Sequence, residues 1–302
     1  MLKKKLSIIG TSSIVRQHID SAKKNGFIIE NICTTNKKSK NVNKISLLHN
    51  IENIFYDWRS LLNEIKDKQN HSLLIASRLK DTHKILLEFC KKTKMKIFVE
   101  KPISLSSSKI IKLKKYESRV FIGYNRNYYS GVKYLKKKKL KECLVSVHSA
   151  ESNISDIKSN SCHLIAILID IFGSLQIKNK IRNKNYIICC LYNRNVNITF
   201  TVYLNSSKNF EIEILKNKKT FLLKPIEKLR VYEGFKINKI NNENFYNPRK
   251  IFEIDEYKLS KNKPGFDDQW HSFKKLITNN NKFFNNITFG YKVMNLIERI
   301  LK

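Results

Sequence analysis

Ile97-Phe98-Val99-Glu100-Lys101-Pro102 carries an apolar triplet into a charged pair and then a proline. The triplet reads as a buried strand, and the charged pair falls where that strand ends. In an open parallel sheet, ligands bind in the crevice beyond the carboxyl ends of the strands, so a carboxylate and an ammonium at that edge read as functional. Pro102 fixes the backbone as the chain leaves the strand, which makes the position of Lys101 more definite. Taken alone, the same residues read equally as a solvated strand-to-loop junction in a lysine-rich chain.

On both sides of this stretch, strands alternate with helices. Leu6-Ser7-Ile8-Ile9 predicts a short buried strand, residues 10–13 a turn, and residues 14–25 a helix with apolar or small positions at 14, 15, 19 and 22. Gly26 ends it. Residues 27–33 form the next strand, followed by a polar loop over 34–43. A helix over 58–66, a strand over 72–76, a helix over 82–92 and the strand 96–99 continue the cycle. A helix from the serine-rich 105–108 to 116 and a strand over 119–123 complete it. This alternation implies right-handed crossovers and a parallel, doubly wound sheet.

The turn after the first strand is where such a sheet would hold a dinucleotide. The Rossmann fingerprint uses one glycine for the tight turn, a second for approach to the pyrophosphate and a third where helix meets strand. Here Gly10 is present, and Ser12 and Val15 stand at the other two positions. Ser12 still offers an amide and a hydroxyl at the positive end of the helix, whereas Val15 narrows the packing. By itself the turn reads more simply as a plain strand-turn-helix. After the second strand the sequence is Cys33-Thr34-Thr35-Asn36-Lys37-Lys38, with no acid for a ribose 2′-hydroxyl. Hydroxyls and lysines there tilt the choice between NAD and NADP slightly toward NADP.

Composition sets the outer limits. The 302 residues, 41% of them hydrophobic, can bury a substantial core and suit two domains better than one. The formal net charge of +34 resembles a nucleic-acid signature, but lysines occur in nearly every segment. Runs such as Lys136-Lys137-Lys138-Lys139 lack interleaved aromatics or a helix-turn-helix pattern, which argues against a nucleic-acid partner. The six cysteines, at 33, 90, 143, 162, 189 and 190, form no CxxC pair and no metal-ligand spacing with histidine, so reduced thiols and no metal are expected. The basic start Met1-Leu2-Lys3-Lys4-Lys5 leads into an apolar stretch cut at Gly10, too short for a signal-peptide core. The longest apolar run, 164–172, contains Asp170 and is about half of the ~20 residues a membrane span requires. A cytoplasmic protein without a membrane partner is the expectation.

Together these elements resemble the Gfo/Idh/MocA family of NAD(P)-dependent oxidoreductases, which act mainly on sugars, polyols and their derivatives. Ile8-Ile9-Gly10-Thr11-Ser12-Ser13-Ile14 is similar to the family's opening strand and turn, where serine at the second glycine is a tolerated variant. Thr82-His83 resembles its Thr-His, although residues 77–81 lack the usual prolines. Phe98-Val99-Glu100-Lys101-Pro102 is its most recognisable sequence, and Gly123-Tyr124-Asn125-Arg126-Asn127-Tyr128 resembles the stretch after the last Rossmann strand. Ser161-Cys162-His163-Leu164-Ile165, ending at Phe172-Gly173, is similar to the helix that carries the family's active-site histidine. Lys263-Pro264-Gly265-Phe266-Asp267-Asp268-Gln269 and the last helix, with residues 294–300, match its C-terminal segment.

The resemblance implies an N-terminal Rossmann domain over 1–124 and a C-terminal α+β domain over 125–302. The second is built on an open, mainly antiparallel sheet and serves substrate binding and homo-oligomer formation. Strands predicted over 140–149, 186–192, 197–204 and 210–215, a helix over 269–277 and a final helix from about 288 agree with it. The segments 176–185 and 216–262 give no clear pattern.

The resemblance also implies cofactor contacts, with NADP or NAD, at Gly10, Thr11, Ser12, Ser13, Ile14, Thr34, Thr35, Asn36, Ala76, Ser77, His83, Glu100 and Lys101. Hydride transfer from an alcohol carbon needs a group that takes the hydroxyl proton. Lys101, beside a cationic ring and partly out of water, would act as base when neutral and as acid in reverse. Glu100 would orient the cofactor or Lys101. His163 would bind a substrate hydroxyl or relay a proton, while its plain alternative is a buried histidine in an apolar helix. Tyr124, Asn125 and Arg126 would line the sugar-type substrate. Many members carry aspartates where this chain has Ser159 and Ala166; Asp156 and Asp170 are the nearest replacements. The expected activity is therefore an NAD(P)-dependent oxidoreductase of sugars, with surface polysaccharide biosynthesis as a family-level analogy. The alternative is a catalytically degenerate nucleotide- or sugar-binding protein of the same fold.

Overall fold

The computed structural model describes residues 4–36, 39–241, 243–259, 262–279 and 283–302. Runs of apolar residues buried on both faces, such as Leu6, Ile8 and Ile9, fold as strands, and amphipathic segments between them fold as helices. In order these are β1 (Lys4–Ile9), α1 (Ser13–Lys24), β2 (Phe27–Cys33), α2 (Asn41–His49), β3 (Asn53–Phe55), α3 (Trp58–Ile65), β4 (His71–Ile75), α4 (Leu79–Lys92), β5 (Lys96–Glu100), α5 (Ser107–Ile111) and β6 (Val120–Gly123). Then follow α6 (Ser130–Lys137), β7 (Cys143–Glu151), α7 (Ile154–Asp156), a π-helical turn (Ile157–Ser161) and α8 (Cys162–Phe172). The strands β8 (Gln176–Arg182), β9 (Tyr186–Asn193), β10 (Val196–Leu204), β11 (Glu211–Lys216), β12 (Lys219–Leu223), β13 (Lys228–Ile240) and β14 (Glu243–Asp255) come next. Three helices close the chain: α9 (Glu256–Leu259), α10 (Phe266–Asn279) and α11 (Ile287–Leu301).

Two compact units result, one of Met1–Asn125 with Gly265–Asn295 and one of Arg126–Pro264 with Leu296–Lys302. In the first, six parallel strands lie in the order β3-β2-β1-β4-β5-β6. Strand order reverses between β1 and β4, the switch point of a doubly wound sheet. The expected Rossmann-type sheet is therefore present. Its core is aromatic where α10 covers it: Phe98 meets Trp270 at 4.8 Å and Phe121 at 4.9 Å between ring centroids, and Phe27 meets Trp270 at 5.2 Å.

Local signals set the ends of these elements. Asp57 Oδ2 accepts from the amides of Arg59 and Ser60, both at 3.0 Å, and so starts α3. Gly26, at φ 84°, turns the chain after α1. The loop expected over 34–43 runs into α2, and β3 follows it; neither was anticipated. Helix α2 turns Leu47 and Leu48 to solvent, so it lacks the one-sided pattern that marks a helix. The helix expected from 105 to 116 breaks into α5 and a 3₁₀ turn at Lys114–Tyr116.

The second unit holds an eight-stranded sheet ordered β14-β13-β12-β11-β7-β10-β9-β8. Only β7 and β10 pair in parallel; the other pairs are antiparallel. The mainly antiparallel second sheet is thus as expected. The segments without a clear pattern contain β8, β12, β13 and β14. No helix among the described residues is long and apolar enough to cross a membrane.

A buried polar chain crosses the first sheet. Asn31 Nδ2 donates to Ser7 Oγ at 2.7 Å, and Ser7 Oγ lies 2.7 Å from His71 Nε2. The other ring nitrogen, Nδ1, lies 3.4 Å from Glu30 Oε2. Burial pushes His71 down to about 4, against the pull of Glu30. Between pH 6.5 and about 4 the unfolded chain therefore binds a proton that the folded chain refuses. Stability from this group is complete above pH 6.5 and is lost as pH falls through that window, on the order of 3 kcal/mol in total. Urea midpoints measured across the window should fall with pH, and His71→Gln should flatten the slope; an unchanged slope assigns the loss to other groups.

Candidate functional site

The carboxyl edge of the first sheet is built around Gly10. Its amide donates to the Cys33 carbonyl at 2.8 Å, and the Ala76 amide donates to the Ile9 carbonyl at 2.8 Å, so the ends of β1, β2 and β4 are tied together. Gly10 has φ 131°, and a Cβ built on it would lie 2.2 Å from the Ala76 carbonyl oxygen. Only glycine fits here. Ser12 then takes the N-cap position of α1 in an extended conformation, with no side-chain capping hydrogen bond, and the first turn carries no acid. The amides of the turn and of the first turn of α1, with the hydroxyls of Thr11, Ser12 and Ser13, form a donor-rich segment at the positive end of a helix. That donor set suits a pyrophosphate.

The neighbouring strand ends supply the other expected cofactor residues. Thr34 is buried, and its hydroxyl donates to the Asn36 carbonyl while accepting from the Asn36 amide, both at 3.1 Å, so Thr34, Thr35 and Asn36 form a tight turn after β2. Lys37 and Lys38, which carried the tilt toward NADP, lie outside the described residues. Ala76 and Ser77 follow β4 directly, and Ser77 Oγ lies 3.0 Å from Thr82 Oγ1. His83 lies farther along α4, half-buried, with Nε2 3.2 Å from the Lys109 carbonyl. Ile14 lies in the first turn of α1.

Glu100 is the most tightly held of these residues. Trp270 Nε1 donates to His18 Nδ1 at 3.1 Å, which makes Nε2 of the same ring the donor to Glu100 Oε1 at 2.7 Å. The other carboxylate oxygen accepts from the Lys101 amide at 3.2 Å. Gly123 leaves the room: a Cβ there would lie 2.9 Å from Glu100 Oε1. A three-residue relay from α10 through α1 thus fixes the last residue of β5 and with it the backbone of Lys101, whose peptide bond to Pro102 is cis. The sequence reading missed His18 and Trp270. His18 sits among the apolar positions of α1 at 15, 19 and 22, and a histidine in such a stripe was the available signal. Tyr124 is buried edge-on against Phe289, 5.4 Å between centroids, and Asn125 is also buried.

In the second unit, Arg126 stacks its guanidinium over Phe210 at 4.8 Å. Burial pushes the hydroxyl of neighbouring Tyr129 up to about 12, with Arg126 acting in the opposite sense. His163 is the second residue of α8 and is buried. The π-helical turn at Ile157–Ser161 comes immediately before it. A carboxylate that the sequence reading did not single out, Glu151 at the end of β7, is buried beside that turn. It accepts from Ser161 Oγ and, at 3.2 Å, from Asn160 Nδ2. Burial raises its pKa, and these hydrogen bonds oppose the rise. Asp170 is engaged elsewhere, by Lys136 and by Asn127 Nδ2 at 3.4 Å. Asp156 closes a local turn with Asn153, whose Nδ2 donates to it at 2.8 Å.

No protein-family model matches the chain, and no curated protein matches it in sequence. Solved structures do match, over nearly its whole length. A dehydrogenase (MviM) of Clostridium difficile is 19% identical, covers 99% of both chains and superposes with a TM-score of 0.76. A Gfo/Idh/MocA family oxidoreductase of Vibrio cholerae is 12% identical, with 98% of this chain and 96% of its own covered and a TM-score of 0.71. The fold is that of the Gfo/Idh/MocA oxidoreductases. A third Gfo/Idh/MocA-like structure, myo-inositol dehydrogenase of Lactobacillus casei solved with NAD(H) and myo-inositol, is 16% identical, covers 98% of this chain and 93% of its own, and has a TM-score of 0.71. Within the Gfo/Idh/MocA fold of the present chain, Ser159 and Ala166 stand where the resemblance leads one to expect acids, and Glu151 is the buried carboxyl beside the helix that carries His163.

Proposed function

We propose that the chain is an NAD(P)-dependent oxidoreductase that transfers a hydride between nicotinamide and a hydroxyl-bearing carbon of a sugar or sugar derivative, in surface polysaccharide biosynthesis. The observation that carries this reading is the carboxyl edge of the first sheet. An acid-free, donor-rich turn begins α1 at the strand-order switch, and a clamped glutamate fixes the backbone of a lysine two strands away. Gly10, Thr11, Ser12 and Ser13 would hold the pyrophosphate, and Thr34, Thr35 and Asn36 the adenosine ribose. Ile14, Ala76, Ser77 and His83 would complete the cofactor contacts. The cofactor would supply the hydride acceptor or donor. Lys101 would take the hydroxyl proton as its carbon is oxidised and return it in reduction. His163 would bind a substrate hydroxyl, with Tyr124, Asn125 and Arg126 holding the rest of the sugar. The myo-inositol dehydrogenase complex with NAD(H) supports the cofactor and substrate classes by likeness of fold.

Titration with NADPH and NADH, followed by nicotinamide fluorescence, tests the reading. Saturable binding is expected for at least one. Because Thr34, Thr35 and Asn36 include no acid to repel a 2′-phosphate, NADPH should bind at least as tightly as NADH. Failure of both to bind at millimolar concentration overturns the proposal. The absence of acids at 159 and 166 favours a second reading, a catalytically degenerate nucleotide- or sugar-binding protein of the same fold. Cofactor binding without turnover on a panel of sugars and polyols would select it.

A further inference from the structure

The amino edge of the first sheet, at the opposite ends of the strands from the Gly10 turn, carries a separate concavity of about 600 Å³. It lies at the ends of α3 and α4 and the starts of β4 and β5, with Ile277 of α10 as a further wall. Six of its fourteen lining residues are lysines, at 66, 68, 91, 92, 94 and 96, and one, Asp67, is an acid. Lys and Arg make up 59 of 302 residues overall, so the lining is more than twice as basic as the chain.

The fold itself does not call for this charge. Lysines gather at helix carboxyl ends because the last carbonyls carry partial negative charge. At α4 another cation meets those carbonyls: the Arg119 guanidinium donates to the Cys90 carbonyl at 2.9 Å and to that of Thr93. Thr93 Oγ1 donates to the Phe89 carbonyl at 2.8 Å. At α3 the backbone amides of Lys66 and Lys68 take up the Leu62 and Ile65 carbonyls at 2.9 and 3.0 Å.

Acids neutralise the lining only in part. Lys68 pairs with Glu64 at 2.9 Å and lies 3.7 Å from Glu30, while Lys91 and Lys92 share the single carboxylate of Glu88 at 3.8 and 3.9 Å. Lys66 and Lys94 form no ion pair among the described residues. Like charges crowd this edge as well. Burial and the nearby Arg119 hold the Lys96 ammonium below the ordinary lysine range, and burial and Lys274 do the same to Lys4 at the start of β1. A multivalent anion would relieve that repulsion.

We propose that this concavity binds a linear chain of phosphates, such as an inorganic polyphosphate or the triphosphate of a nucleotide. Several ammonium groups on flexible stems suit a row of phosphates, to which each contributes as a point charge. Among the described residues no Phe, Tyr or Trp lines the concavity, so recognition rests on the phosphate chain rather than on a stacked base. Its volume is that of a small-molecule site.

Isothermal titration of the full chain with sodium tripolyphosphate, ATP and a mixed-sequence single-stranded oligonucleotide tests this. Tripolyphosphate and ATP should bind with similar affinity, weakening as salt rises. The double variant Lys66→Glu/Lys94→Glu should lose at least about tenfold in tripolyphosphate affinity. The control Lys178→Glu/Lys184→Glu makes the same change in net charge at exposed positions of the second unit and should stay within about twofold of the parent. Four results overturn the proposal: no tripolyphosphate binding, equal losses in both double variants, ATP binding far tighter than tripolyphosphate and weakened by Lys66→Glu/Lys94→Glu, which separates it from binding at the Gly10 turn, or an oligonucleotide that outcompetes tripolyphosphate. The third means that a base is read, and the fourth that the partner is a nucleic acid.

Discussion

Lys101→Met is expected to lower turnover by about 10²- to 10⁴-fold, the range of a positioned general acid-base group, while leaving nicotinamide affinity within a few-fold of the parent. The substitution keeps most of the side-chain stem and removes the ammonium. Because the backbone at this position is held by the Glu100 carboxylate, itself fixed through His18 and Trp270, the variant should keep the local fold. Steady-state hydride transfer on the best sugar or polyol found, with a fluorescence titration of the cofactor, gives both numbers. Unchanged turnover would show that another group moves the proton. A loss of cofactor binding in parallel with turnover would instead make Lys101 part of the cofactor site alone.

Gly10→Ala should unfold more of the protein than any other single methyl addition described above. Its φ of 131° lies in a region that L side chains rarely adopt, and the added Cβ would lie 2.2 Å from a backbone oxygen that cannot rotate away. Strain of this kind costs about 1–3 kcal/mol and overpacking about 1–3 kcal/mol more, a large share of a typical 5–15 kcal/mol stability. Gly173→Ala is the matched comparison: it also has positive φ, at 84°, but no atom lies within 4 Å of its built Cβ. Urea midpoints should therefore fall much further for Gly10→Ala than for Gly173→Ala. Equal shifts would mean that the close approach of β1 to Ala76 can relax at no cost.

Much of the first sheet was legible because its strands are buried on both faces and read as continuous apolar runs, as in Ile8-Ile9 and Phe98-Val99. Where apolar residues face solvent, the pattern fails. Leu47 and Leu48 hide α2, and the long β13–β14 hairpin exposes Phe235, Ile237 and Tyr246 among lysines and asparagines, so it lacks the alternation of a half-buried sheet. Glu100 and Lys101 stood out as a charged pair after a buried strand. What holds Glu100 did not, because Trp270 is 252 residues from His18 along the chain and only the folded sheet brings them together. Glu151 was hidden for a similar reason: its partners Ser161 and Asn160 come from a π-helical turn that no simple periodicity reports.

The return of Gly265–Asn295 to the first unit also has a consequence for biosynthesis. Trp270 and Phe273 complete the aromatic core against Phe27, Phe98 and Phe121, yet they are made after the whole second sheet. On the ribosome, domains generally fold in order from the N-terminus as they emerge. Here the first six strands must wait for nearly the entire chain before their core closes, so the nascent first unit leaves apolar surface uncovered through most of translation. A fragment ending near residue 125 is expected to keep that uncovered face permanently.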